Sequence, residues 1–146
     1  MLYSDEGFGV HAAKRLREDS RVPPDVDIID GGTQGIYLLP IIEESDRLII
    51  IDAALPSDVE PALKIFHNEE IKALLNITLS AHQTGVHTLM AMAKMHDAIP
   101  RDVYVFAVPA VDLEMSIELS DKVRELLPTV TNEVIKLLKE WIPEKE

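Results

Sequence analysis

The chain has 146 residues, 47% hydrophobic and 27% charged, with a formal net charge of −12 and no cysteine. This is the composition of a globular domain and not of a disordered chain. The missing cysteines exclude a disulfide framework, a thiolate zinc site and a cysteine nucleophile, and the negative charge argues against nucleic acid and anionic membrane surfaces as partners.

Met1–Glu6 lacks the basic-then-apolar pattern of a secretory leader, and no segment approaches a membrane-spanning apolar run. A cytoplasmic protein is therefore expected. Residues 7–18 follow helical spacing, with Val10, Ala13 and Leu16 near one face. Val26 to Asp30 reads as a strand running into the Gly31-Gly32 break. Residues 33–44 are apolar and helical, with Pro40 expected to end or kink the helix. Arg47 to Asp52 holds Leu48-Ile49-Ile50-Ile51, a continuous apolar run that suits a central strand covered on both faces. Ala62 to Phe66 is a weaker strand. Residues 80–95 carry Val86, Leu89, Met90 and Ala93 on one helical stripe. Val103 to Val108 forms a strand stopped by Pro109. In the last helix, Val123, Leu126, Leu127, Val130, Val134, Leu137, Leu138 and Trp141 keep helical spacing, with Ser120 as N-cap and a bend at Pro128. No repeat or linker divides the chain, so residues 1–146 read as one α/β domain whose sheet is covered on both faces.

In such sheets ligands sit at the carboxyl ends of the strands. Two predicted strands end on an acid, at Asp30 and at Asp52. Glu6, before the first helix, and His82, at the start of a later one, also fall at element ends. Glu6, Asp52 and His82 form a mixed oxygen and nitrogen set that suits a borderline divalent ion such as nickel or zinc. Each also has a structural reading. Asp52 could cap a helix near Pro56, Glu6 could answer a helix dipole, and His82 shares a stripe with Val86 and Leu89. No two of the three stand at a metal-ligand spacing. His87 points away from His82, and His11, His67 and His96 show no partner in the sequence and read as surface residues. The Asp30-Gly31-Gly32-Thr33 turn is either a strand-to-helix connection, capped by Thr33, or a cradle for a substrate backbone.

These segments resemble the hydrogenase maturation endopeptidases, which process the large subunit of nickel–iron hydrogenases. Asp5-Glu6-Gly7-Phe8-Gly9-Val10 is similar to the family's acidic-Gly-x-Gly-Val segment, and Asp30-Gly31-Gly32-Thr33 to its Asp-Gly-Gly-Thr turn. Ile51-Asp52-Ala53 resembles its Asp-Ala strand end, and Ser80-Ala81-His82-Gln83-Thr84-Gly85 its Ser-x-His-x-x-Gly segment. Val108-Pro109 and Leu119-Ser120 resemble its last strand and the entry to its terminal helix. The segments follow the family's order over nearly the whole chain.

The resemblance implies a three-layer α/β/α sandwich with a mostly parallel twisted sheet. It implies an endopeptidase that removes the C-terminal extension of the nickel–iron hydrogenase large-subunit precursor after nickel insertion. Glu6, Asp52 and His82 would be the nickel ligands, with nickel as the recognition element and zinc or cadmium as ions able to replace it. Asp30 would lie near the scissile bond as the catalytic residue, and Gly31, Gly32 and Thr33 would hold substrate. The alternative is an inactive or non-catalytic homologue that only binds the nickel-loaded subunit. Family members open with a strand ending in Gly-x-Gly-Asn ahead of the acidic segment. That strand, expected between the strands ending at Asp30 and Asp52, has no counterpart before Met1. A misassigned start, a short inactive form, or a homodimer in which a second chain fills the gap would each account for this.

Overall fold

The computed structural model describes residues 8–29, 38–55, 62–71, 86–109 and 124–142. Three strands form a mixed sheet in the order β1 (Arg47–Leu55), β3 (Asp102–Pro109), β2 (Lys64–His67). β1 runs parallel to β3, with Arg47 opposite Asp102 and Asp52 opposite Ala107, while β2 lies antiparallel to β3, with His67 opposite Tyr104. The α/β fold is as expected, and the antiparallel direction of β2 is the detail that its short, weakly patterned segment does not declare in the sequence. The run from Leu48 to Ile51 forms a strand, and β3 is the middle one of the three described strands. β1 pairs with no described strand on its other side.

Strand alternation sorts the apolar side chains between two helical layers. Phe106 and Val108 of β3, with Ile49 and Ile51 of β1, face α1 (Phe8–Glu18) and α4 (Leu127–Trp141). Val103, Val105 and Ala107, with Leu48 and Ile50, face α2 (Leu39–Glu44) and α3 (Val86–Met95). Phe8, Ala12, Ala13 and Leu16 form the buried stripe of α1, spaced as one face of a helix requires. α4 buries Val130, Val134, Ile135, Leu137 and Leu138 in the same way. Its one buried hydroxyl, on Thr131, donates to the Leu127 carbonyl at 2.8 Å, which removes the cost of an unpaired polar group.

Two prolines start helices that they were expected to end or bend. Pro40 and Pro128 both stand in the first turn of their helices, where proline's missing N–H has no carbonyl to serve and its fixed φ favours the helix. Residues 26–29 form no regular strand. They run as irregular chain, fixed where Arg17 Nη2 donates to the Ile28 carbonyl at 3.0 Å.

Candidate functional site

Asp52 sits within β1, which continues to Leu55, and not at its tip. The register places it opposite Ala107 and in alternation with Leu48 and Ile50, so it belongs to the face covered by α2 and α3. It is half-buried. A carboxylate there is expensive to leave unengaged, and Asp52 is not without an interaction. The ladder loses its register between Ala53 and Leu55, so pairing breaks up just past the acid, at the carboxyl end of the parallel pair. This is the end where open α/β sheets bind ligands.

α3 opens at the same end. Its C-terminus leads through residues 96–101 into the start of β3, so its first residue, Val86, lies toward the carboxyl ends of the parallel strands. Glu6, Asp30, Gly31, Gly32, Thr33 and His82 all lie outside the described residues, as does Ser120. Among the described residues there is no group of three or more His, Cys, Asp or Glu that could hold a metal ion.

The opposite end of the sheet carries a polar and aromatic cluster that the sequence did not announce. His67 Nε2 and Asp102 Oδ1 share a hydrogen bond; the carboxylate can only accept, so Nε2 carries the proton. Asn68 Nδ2 donates to the same Asp102 oxygen at 3.3 Å, and Asn68 Oδ1 accepts from the Val103 N–H at 2.8 Å. Asn68 itself has φ of 49°, a left-handed turn that asparagine tolerates better than most residues. The Tyr104 ring stacks on His67 with centroids 3.9 Å apart, and Trp141 tilts against Tyr104 at 5.8 Å. Arg47 completes the row 5.5 Å over the Trp141 ring and donates to the Trp141 carbonyl at 3.2 Å.

The electrostatics follow from these contacts. The hydrogen bond from His67 holds the Asp102 carboxyl below its ordinary value, against an opposing effect of desolvation. Desolvation, then the charges of Asp102, Glu140 and Glu70, pushes the Tyr104 hydroxyl up. The cluster clamps β2 to β3 and holds the end of α4 on the sheet. His96 is exposed, as expected, but it too has a partner: Nδ1 faces Glu43 Oε1 at 3.0 Å, joining the ends of α2 and α3. Neither histidine pairing was legible from sequence, because each joins residues distant in the chain whose approach depends on β2 being antiparallel or on α2 meeting α3.

No helix among the described residues is long and apolar enough to cross a membrane. Compared with known proteins, the chain matches the hydrogenase maturation protease family model over residues 10–137. It is 32% identical over 146 residues to the hydrogenase expression/formation protein HoxM of Azotobacter vinelandii, a match covering 99% of this chain and 69% of that protein. To the hydrogenase 2 maturation protease of Escherichia coli it is 30% identical, covering 96% of this chain and 86% of that one. The solved structure of the hydrogenase maturating endopeptidase HybD from E. coli superimposes with a TM-score of 0.82 at 30% identity, covering 97% of this chain and 88% of that chain.

Proposed function

The chain belongs to the hydrogenase maturation protease family, and from that premise we propose that it cuts the C-terminal extension from the large-subunit precursor of a nickel–iron hydrogenase, with the precursor's nickel as the mark it recognises. The observation that carries this reading is Asp52: a half-buried carboxylate at the binding end of the parallel pair, where the ladder breaks and α3 begins. Glu6 and His82 supply the other two donors in this proposal. Carboxylate oxygen and imidazole nitrogen together suit nickel, and zinc or cadmium as substitutes. The metal here belongs to the substrate.

Once the nickel-bearing end of the precursor docks on these residues, the scissile peptide lies beside Asp30 in the proposal. Asp30 orients or polarises the attacking water, while the backbone of Gly31 and Gly32 and the hydroxyl of Thr33 hold the substrate chain. Holding the peptide and water at a fixed separation supplies much of the rate by itself.

The test separates docking from cutting. Asp52→Ala and His82→Ala should both abolish precursor cleavage and weaken binding of the nickel-loaded precursor. Asp30→Asn should bind it normally and cut slowly. Wild-type cleavage by Asp52→Ala would defeat the docking role. A second reading, a homologue that binds the nickel-loaded subunit without cutting it, would show itself as wild-type binding of the precursor with no loss of its C-terminal extension.

A further inference from the structure

Residues 26–29 lead straight into Asp30, so whatever fixes this segment also bears on the acid. Val26 and Ile28 pack against the core that α1 and α4 share, while Asp27 and Ile29 are exposed. That alternation is a strand's, yet no described strand supplies ladder hydrogen bonds to it. Carbonyls in such a segment need other donors. The Ile28 carbonyl has one: Arg17, in the last turn of α1, donates from Nη2 at 3.0 Å. Ala12, Ala13 and Leu16 of α1 are buried, so the core fixes the helix and the guanidinium passes that position on to the Ile28 peptide.

The chain ahead of Ile28 is held at a series of points. Arg21 donates to Asp19 from Nε at 3.0 Å and from Nη2 at 2.8 Å, and the same Nη2 donates to Asn132 Oδ1 of α4 at 3.1 Å. Turn hydrogen bonds run from the Val22 N–H to the Asp19 carbonyl and from the Val26 N–H to the Pro23 carbonyl, both at 3.2 Å. Pro23 and Pro24 stiffen the stretch between them. The Arg17 bond ends the series and is the hydrogen bond nearest in sequence to Asp30 among the described residues. Packing does not replace it. A hollow of about 260 Å³ lies between the segment and the end of α1, with Leu16, Arg17, Val22, Val26 and Ile28 in its lining, so Ile28 lacks the close contacts that would hold its peptide by themselves.

We propose that Arg17 is a positioning residue: by holding the Ile28 carbonyl it sets the backbone from which Asp30 meets the scissile peptide. The inference rests on the role proposed above for Asp30. Only Ile29 stands between the held peptide and Asp30, a reach of at most about 7 Å. A misplacement of about 1 Å in a reacting group costs on the order of a hundredfold in rate. Freeing the Ile28 peptide therefore slows the chemical step, while the docking of the precursor's nickel on Asp52 is untouched. The loss falls on kcat and spares KM.

Arg17→Met keeps an unbranched side chain and removes every donor, whereas Arg17→Lys keeps a donor. Cleavage of nickel-loaded precursor would be measured at steady state for the protein, for both variants, and for Asp30→Asn with and without Arg17→Met. Arg17→Met should lower kcat about tenfold or more and leave KM within about twofold. Arg17→Lys should recover part of the loss. In the Asp30→Asn chain, Arg17→Met should cost nothing further, because residues that act as a unit are not additive. A wild-type kcat in Arg17→Met, or the same loss whether or not Asp30 is present, overturns the positioning role and leaves Asp30 its own. Wild-type cleavage by Asp30→Asn removes the reading on which the inference rests, and the inference with it. If Arg17→Met melts too low to assay, Arg17→Gln, whose shorter side chain withdraws the donor, carries the test, and a wild-type kcat there overturns the proposal equally.

Discussion

Asp102→Ala tests the clamp at the amino end of the sheet. The substitution removes the acceptor shared by His67 and Asn68. A hydrogen bond to a charged group contributes about 1.5–3 kcal/mol. The His67 and Asp102 side chains are 37% and 26% exposed, so solvent screening reduces that to about 1 kcal/mol. Releasing the His67 ring also loosens its stack on Tyr104, a contact of roughly 0.5–1.5 kcal/mol. Together the loss is about 2 kcal/mol, or roughly a 6 °C fall in thermal midpoint for a chain of this size. The sign of the pH dependence is fixed by the direction of the shift. Asp102 is held below its ordinary value, so its contribution is full above the unfolded carboxylate value, about 3.9, and is lost as pH falls through the folded one. Thermal melts followed by circular dichroism at a series of pH values would show the gap between wild type and variant narrowing below about pH 4. A gap under about 1 °C at pH 7 would refute the energetic reasoning, and a gap unchanged down to pH 2 would refute the assignment to the carboxylate.

Phe106, 2% exposed at the centre of β3, should cost about 3–5 kcal/mol when replaced by Ala, read as a lowered urea midpoint with an unchanged slope. Asp19 accepts from the Arg21 guanidinium at 2.8 Å and from the Arg21 backbone N–H at 2.9 Å, and these bonds hold its carboxyl down to about 2; an NMR titration should find it there, and Arg21→Gln should return it toward the ordinary value. Asp52→Ala should leave the thermal midpoint within a few degrees of wild type, because a half-buried acid near the end of the parallel pair contributes little to the core. Loss of the folded state in that variant would make Asp52 structural and remove the reason to read it as a dock.

The elements legible in the sequence were those whose pattern is their own. α1 and α4 show one buried face each at helical spacing, and the Leu48 to Ile51 run forms a strand between two layers. What depended on neighbours was misread or unseen. Pro40 and Pro128 break helices in general but open them here, and the distinction rests on where the helix begins. Residues 26–29 have the composition of a strand, but no described strand pairs with them, and they form none. β2 gives no hint of direction in its few residues, so the pairing of His67 with Asp102 could not be foreseen. At the candidate site, Asp52 was legible because it closes an unmistakable apolar run. Its place within β1, two residues short of where the register shifts, was not, because Ala53, Ala54 and Leu55 carry no stop signal.

The central claim is that this chain is a peptidase acting on a hydrogenase large-subunit precursor. The direct measurement incubates the protein with nickel-loaded precursor and follows the precursor's intact mass. The account predicts a single loss equal to the C-terminal extension, absent with nickel-free precursor and absent with Asp52→Ala. A precursor that keeps its full mass after incubation with the protein would contradict it.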